Sequence, residues 1–231
     1  MIKWVFKWIV RLFLLAVVLI VILVLCFNSI LRVLIEHDIR RQTGMDAEIG
    51  RFQLGIAEPT ITIQDMKIYN PPSFGGTPFL EIPEIHVEYD RSALARRELH
   101  LTLLRFNLGE LDIVKNAQGQ TNIFSLGLAL PKNTRDNANH ERDEFKRQTH
   151  LEFTGIDALN VSVGTLKFID LKDQRRNRTQ KVGLENQVVP NVKSTADLAG
   201  LAVLIALRSG DFFTVLEDPG AHKSGTSNLF W

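Results

Sequence analysis

From Leu12 to Phe27 the chain carries no charged or strongly polar side chain, and an apolar-dominated stretch runs from Ile9 to Ile35. About 20 such residues suffice to cross hydrocarbon as a helix, so the stretch predicts one membrane span, with Leu12, Leu15, Val18, Leu19, Ile22 and Leu25 as anchor residues. Lys3, Lys7 and Arg11 precede the run and charges of mixed sign follow it, a bias that puts the N-terminus in the cytoplasm and the rest of the chain across the membrane. Trp4, Phe6 and Trp8 read as an interfacial belt. No small-x-small cleavage site follows the run, and Leu25 stands where a lipobox needs a small residue before Cys26, so the segment reads as an uncleaved, unlipidated anchor.

After the run the apolar period changes from helical to alternating. Ile61 and Ile63, then Met66 and Ile68, predict a strand whose parity shifts across Gln64-Asp65, a shift that a β-bulge absorbs. Asn70-Pro71-Pro72 and Gly75-Gly76 end that strand. Ile82, Ile85, Val87 and Tyr89 alternate with acidic and polar neighbours; Leu99, Leu101 and Leu103, then Phe106 to Ile113, predict two more strands with parity breaks and Gly109 between. Lys115 to Asn122 reads as a turn, and Leu151 to Phe153, Leu159 to Val163 and Leu166 to Phe168 as short strands. Ser194 to Asp197 has capping-box spacing and opens an apolar helix to about Arg208, too short for a second crossing, which packs on the sheet or lies on lipid.

The expected fold class is a single N-terminal transmembrane helix followed by a mainly β (β-rich α+β) domain, an antiparallel curved meander with one C-terminal helix. Its expected divisions are the stub and anchor 1–35, a β meander 36–130, a polar linker or loop 131–149, a second β segment with the apolar helix 150–217, and a flexible tail 218–231.

Composition adds mainly exclusions. The 231 residues carry a net charge of only +1, so no global field attracts or repels nucleic acid. The single cysteine, Cys26, excludes an intramolecular disulfide and a thiolate zinc site. Glu84, His86 and Glu88 alternate on one strand, but i and i+2 neighbours stand about 6.5–7 Å apart, wide for one ion, so a solvated polar face is the better reading. No phosphate loop, nucleophile elbow or carboxylate pair stands out, so no catalytic residue, metal or cofactor is expected. Lys172, Arg175, Arg176, Arg178 and Lys181 form a basic cluster; it reads either as a solvated hairpin loop or as a lipid-headgroup contact through Arg175, Arg176 and Arg178.

The order of signals resembles the N-terminal region of AsmA-like proteins. An anchor helix, Thr43-Gly44, Ile49-Gly50-Arg51-Phe52, the strand Ile61 to Ile68 and Asn70-Pro71-Pro72 carry it, with Glu88-Tyr89-Asp90-Arg91-Ser92-Ala93-Leu94 and Asn116 to Asn122. Membership would imply a periplasmic sheet curling into an apolar groove, related to bridge-like lipid-transfer proteins, with a role in outer-membrane lipid homeostasis. Such proteins are mostly far longer. On this resemblance, Ile61, Ile63, Ile85, Val87, Leu99, Leu101 and Leu103 are the candidate apolar groove. The expected function is a non-catalytic inner-membrane protein with its main domain in the periplasm, one that binds lipid acyl chains or caps a lipid-transport assembly. The alternative is a scaffold whose sheet edges pair with another envelope protein. Expected partners are membrane lipids and possibly that protein, and no nucleic acid; oligomeric state stays open.

Overall fold

The computed structural model describes residues 11, 15, 28–41, 43–55, 57–125, 146–147 and 149–209. Six strands form one sheet in chain order: β1 (Ala47–Leu54), β2 (Thr60–Tyr69), β3 (Pro78–Tyr89), β4 (Glu98–Lys115), β5 (Glu152–Asp170) and β6 (Arg178–Val192). The helices are α1 (28–41), α2 (Arg91–Ala95), α3 (Asn122–Ser125) and α4 (Ala199–Ser209). β1 to β4 are successive antiparallel neighbours, as the alternation suggests, but β4 and β5 run parallel over nearly their whole length, and β6 returns antiparallel. The meander is thus not antiparallel throughout. A parallel neighbour requires the chain to travel back the length of the strand between the end of β4 and the start of β5.

The transmembrane expectation is overturned. Among the described residues no helix is long and apolar enough to cross a membrane. Of the anchor residues, Leu15 is helical and 66% exposed, while Leu12, Val18, Leu19, Ile22 and Leu25 lie outside the described residues. The described helix α1 belongs to the sheet instead. Leu31, Ile35 and Ile39, spaced to share one face, pack against Ile49, Phe52, Met66 and Ile82. Arg32 Nη1 donates to the Ile49 carbonyl (3.3 Å), and Glu36 accepts the Ile49 N–H (2.8 Å). These charged side chains, which a bilayer would penalise, serve the free edge of β1. Gly44, at φ 71, ends the helix by donating its N–H to the Arg40 carbonyl (2.9 Å), as a left-handed glycine does at a C-terminus.

Strand boundaries differ from the expectation for one shared reason. Leu99–Leu103 and Phe106–Ile113 are a single strand, β4, and the three short segments after residue 150 are a single strand, β5. Each apparent break is a change of parity within a continuous strand. One change in each of several strands lines up across the sheet, whereas the change between Leu101 and Leu104 in β4 lies apart from that line. A Cβ on Gly50 would stand 2.8 Å from the Cβ of Asp65, one on Gly109 3.1 Å from Pro83 Cδ, and one on Gly164 2.4 Å from the Gly109 carbonyl oxygen. Asp65 (φ 55) and Gly183 (φ 58) sit in left-handed conformations along the same line. Regular pairing skips these residues. On its two sides, Ile61 and Ile63 against Met66 and Ile68, Phe106 and Leu108 against Leu111 and Ile113, and Val161 and Val163 against Leu166 and Phe168 have opposite parity. All nonetheless belong to the apolar packing under the helices. A transverse crease therefore resets the alternation in the strands it crosses, so one face stays apolar throughout.

That face carries two clusters: α1 over β1–β3, and α4 with the turn before it over β4–β6 through Leu198, Leu201, Leu204 and Ile205. Half of the expected capping box forms: Asp197 Oδ2 accepts the N–H groups of Lys193 and Ser194, both at 2.8 Å, but the Ser194 hydroxyl donates to the same carboxylate (3.1 Å), and the segment opened is a 3-10 turn (Thr195–Leu198) that leads into α4. Of the two placements left open for this helix, it takes the sheet. The opposite face is polar, with Lys67–Glu81 at 3.4 Å, Arg105–Glu84 at 3.3 Å and a Lys167–Glu110 ion pair.

Candidate functional site

The apolar face is unevenly covered across the sheet. Toward the end where β1 and β3 finish and β4 and β5 begin, Leu54, Ile61, Val87 and Leu104 lie in one row, and Ile63, Ile85 and Phe106 in the next. All seven are half-buried. Beyond the crease Ile113, Leu166 and Phe168 are buried but Ile68, Leu80 and Leu111 stay half-buried, and on the near side Phe52, Leu159 and Val161 are buried, so the less covered area follows β2–β4. Of the candidate groove residues, Ile61, Ile63, Ile85 and Val87 thus come together as neighbours. Leu101 joins the same face through contact with the β4–β6 cluster. Leu103 does not: it pairs with Glu88 and Ala158 and, adjacent to the inward Leu104, projects to the opposite face. Leu99 pairs with Phe153 at the strand's beginning and is absent from both clusters. Leu104 and Phe106 complete the rows; alternation could have found them had the parity break after Leu103 been placed.

At the other end of the sheet a fully buried asparagine closes the fold. Asn122, 0% exposed, donates to Asn70 Oδ1 and to the Asp112 carbonyl, both at 2.8 Å, and accepts the Val114 N–H at 3.0 Å. Asn116 Oδ1 accepts the N–H groups of Gln118 (3.1 Å) and Gln120 (2.9 Å), which shapes the preceding turn. The Asn70-Pro71-Pro72 and Asn116 to Asn122 segments that carry the family resemblance are therefore, here, the two sides of a structural lock. Asp112 lies beside it with its Oδ1 buried and unpaired. Burial first, and the neighbouring Glu110 charge second, push its pKa up to about 6 against the pull of Lys167.

The basic cluster divides. Arg175 and Arg176 lie in a 3-10 turn (Gln174–Arg176) and Arg178 opens β6 opposite Phe168, all three exposed. Of these, only Arg176 lines a cleft of about 480 Å³, which also contains Lys115, Lys172, Asp170, Asp173 and the Asn116–Gly119 turn. Lys115 was not among the expected residues; the parallel register sets it directly opposite Asp170.

His86 and His100 are engaged locally. His86 Nδ1 is 2.8 Å from Thr62 Oγ1 and Nε2 3.3 Å from Glu88, while Glu84 turns to Arg105. His100 bridges Asp157 (3.1 Å) and Thr154 (3.2 Å), but the Thr154 hydroxyl also donates to the Leu99 carbonyl (3.2 Å), which ties up its proton. Among the described residues no group of three metal-ligating side chains converges. No family model, no curated protein and no solved structure matches the chain.

Proposed function

We propose that the protein binds lipid acyl chains on the half-open rows of its sheet. The observation that carries this is a contrast across one apolar face: Ile61, Ile63, Ile85, Val87, Leu104 and Phe106 on β2–β4 remain half-buried between two helices, where their neighbours Leu159 and Val161 on β5 are buried. Apolar surface left partly uncovered costs about 25 cal/mol for each Å² that water still touches, and an acyl chain is a ligand able to remove that cost without polar partners. The resemblance to AsmA-like proteins supports the same reading in an envelope setting. The scaffold alternative draws less support. The free edge of β1 is occupied at Ile49 by Arg32 and Glu36, and that of β6 is broken by Pro190 and by Asn186 (φ 50) and Asn191 (φ 53). Natural sheets discourage strand addition by such devices.

The test is native mass spectrometry with lipid extraction on the full chain expressed in bacteria. Co-purified phospholipid is expected, with most of it lost in Ile85→Glu and in the milder Val87→Asn. A lipid-free chain, or lipid retained equally by both variants, would overturn the reading.

A further inference from the structure

We infer that the cleft between the β4 turn and the β5–β6 loop binds a phosphate group. Three cations converge there from two segments distant in sequence: Lys115 at the end of β4, and Lys172 and Arg176 after β5. The acidic residues that share the cleft are already committed. Asp170 Oδ1 accepts the N–H groups of Lys172 (2.9 Å) and Asp173 (3.1 Å), and Asp173 accepts the Arg175 N–H (3.2 Å) with Arg176 Nε at 3.5 Å. Burial would raise the Asp170 pKa, but those backbone donors together with the Lys115 and Arg176 charges outweigh it and hold the carboxyl ionised. The two lysine ammonium groups, in contrast, enter none of the ion pairs formed among the described residues.

The arrangement suits an anion more than a cation. Lys115 and Lys172, which enter no ion pair among the described residues, and Arg176 line an open volume of about 480 Å³, large enough for a phosphate with a substituent. The carboxylates act as internal struts that fix the loop carrying Lys172 and Arg176. The site does not rest on the acyl-chain reading. At a strand's rise per residue, Lys115 lies about 30 Å along β4 from Phe106, and the buried Ile113 and Phe168 intervene. Each reading can therefore fail alone. The chemistry fits a phosphomonoester or diester, whether on a lipid headgroup or on a soluble molecule.

The test is a titration of the isotope-labelled full chain, followed by NMR, with inorganic phosphate and separately with soluble dihexanoyl phosphatidic acid. Resonances of residues 115–119 and 170–176 are expected to move with at least one probe, and Lys115→Gln with Lys172→Gln should weaken that binding at least tenfold. Arg178→Gln, outside the cleft, should leave it within twofold. Response to both probes marks a general phosphate site, and response to phosphatidic acid alone a headgroup site. No response at these residues, or equal affinity in the double glutamine variant, would overturn the inference. Because both lysines project from the surface of loop-proximal positions, an unchanged thermal melt serves to show that the variant is folded.

Discussion

The two ends of this sheet are built from the same strands and finished differently. At the end where β4 and β5 stop, Phe79 is 2%, Phe74 3% and Asn122 0% exposed, and polar side chains are knitted to backbone across three segments. At the other end, the rows through Ile61, Ile85 and Leu104 are half-buried under the helices, with no polar lock of this kind among the described residues. Both ends are apolar on the same face, so composition does not distinguish them. What differs is whether loops and turns were recruited to seal the surface. One end spends its local sequence on closure, with prolines, asparagines and a tight turn; the other leaves the rows on β2–β4 half-covered, the arrangement expected where a mobile apolar ligand must enter.

The sharpest way to break this contrast is at the lock. Asn122→Ala removes three hydrogen bonds and leaves the Asn70 side chain, the Asp112 carbonyl and the Val114 N–H without their buried partner. A loss of about 4 kcal/mol is expected, since each orphaned buried group costs about 1–3 kcal/mol and such networks are cooperative. Urea unfolding measures it. A loss under about 1 kcal/mol would mean that the closed end is no more essential to the fold than the open one.

The crease that divides the ends is the next target. Gly164→Ala would force a Cβ to within 2.4 Å of the Gly109 carbonyl oxygen, in a strand core with no flexible side chain to yield. About 2–3 kcal/mol of destabilisation is expected by the same unfolding measurement. Gly200→Ala in α4 is the control. Its Cβ would meet nothing within 4 Å, and a helix gains about 0.5–1 kcal/mol from the exchange. Equal effects at both glycines would dissolve the crease as a structural device.

Much of the strand core was legible because alternation is a local property. The shift across Gln64-Asp65 is visible in sequence and is found as a left-handed Asp65 within β2. The same signal misled elsewhere. Read one strand at a time, a parity break looks like a strand end, and only alignment of Gly50, Asp65, Pro83, Gly109 and Gly164 across neighbours reveals a common crease. β6 escaped notice because it is an edge strand, mostly exposed and interrupted by Pro190, with no clean apolar row. The phosphate cleft was half legible. Arg176 and Lys172 stand in a visible cluster, but Lys115 joins them only through the parallel pairing of β4 with β5, which local pattern does not encode. The N-terminal apolar run suggested an anchor continuing to Ile35. In fact Leu31, Ile35 and Ile39 use an amphipathic spacing to pack on the sheet, a feature that high hydropathy on both sides of α1 conceals.

A smaller effect sharpens the closed end electrostatically. Unfolded, the Asp112 carboxyl ionises near its ordinary 3.8; folded, it ionises at about 6. Between those values the native state holds more protons than the unfolded one. The contribution of this group to stability is therefore full below about pH 4, falls as pH rises through the window, and stays at its lower level above about 6. Asp112→Asn abolishes the titration. Relative to wild type, the variant should gain of order 1 kcal/mol on going from pH 4 to pH 7, the full shift being discounted for solvent screening. Paired urea curves at the two pH values test this, and a constant difference would remove Asp112 from the account.

The smallest expected stability change lies at the open end and carries the most functional information. Val87 is half-buried and belongs to neither apolar cluster, although it pairs with Ile61 and Leu104 in the outermost row. Val87→Asn should therefore cost under about 1 kcal/mol, because the side chain loses little packing and its amide can reach water. If the row receives acyl chains, the same substitution places an unsatisfied amide against hydrocarbon, and retained lipid should drop severalfold while the unfolding curve barely moves. The two readouts separate the alternatives. A large stability loss with lipid unchanged would mean that Val87 is core and the two ends are alike. A small loss with lipid depleted would mean that the uncovered rows are kept for a ligand and not for the fold.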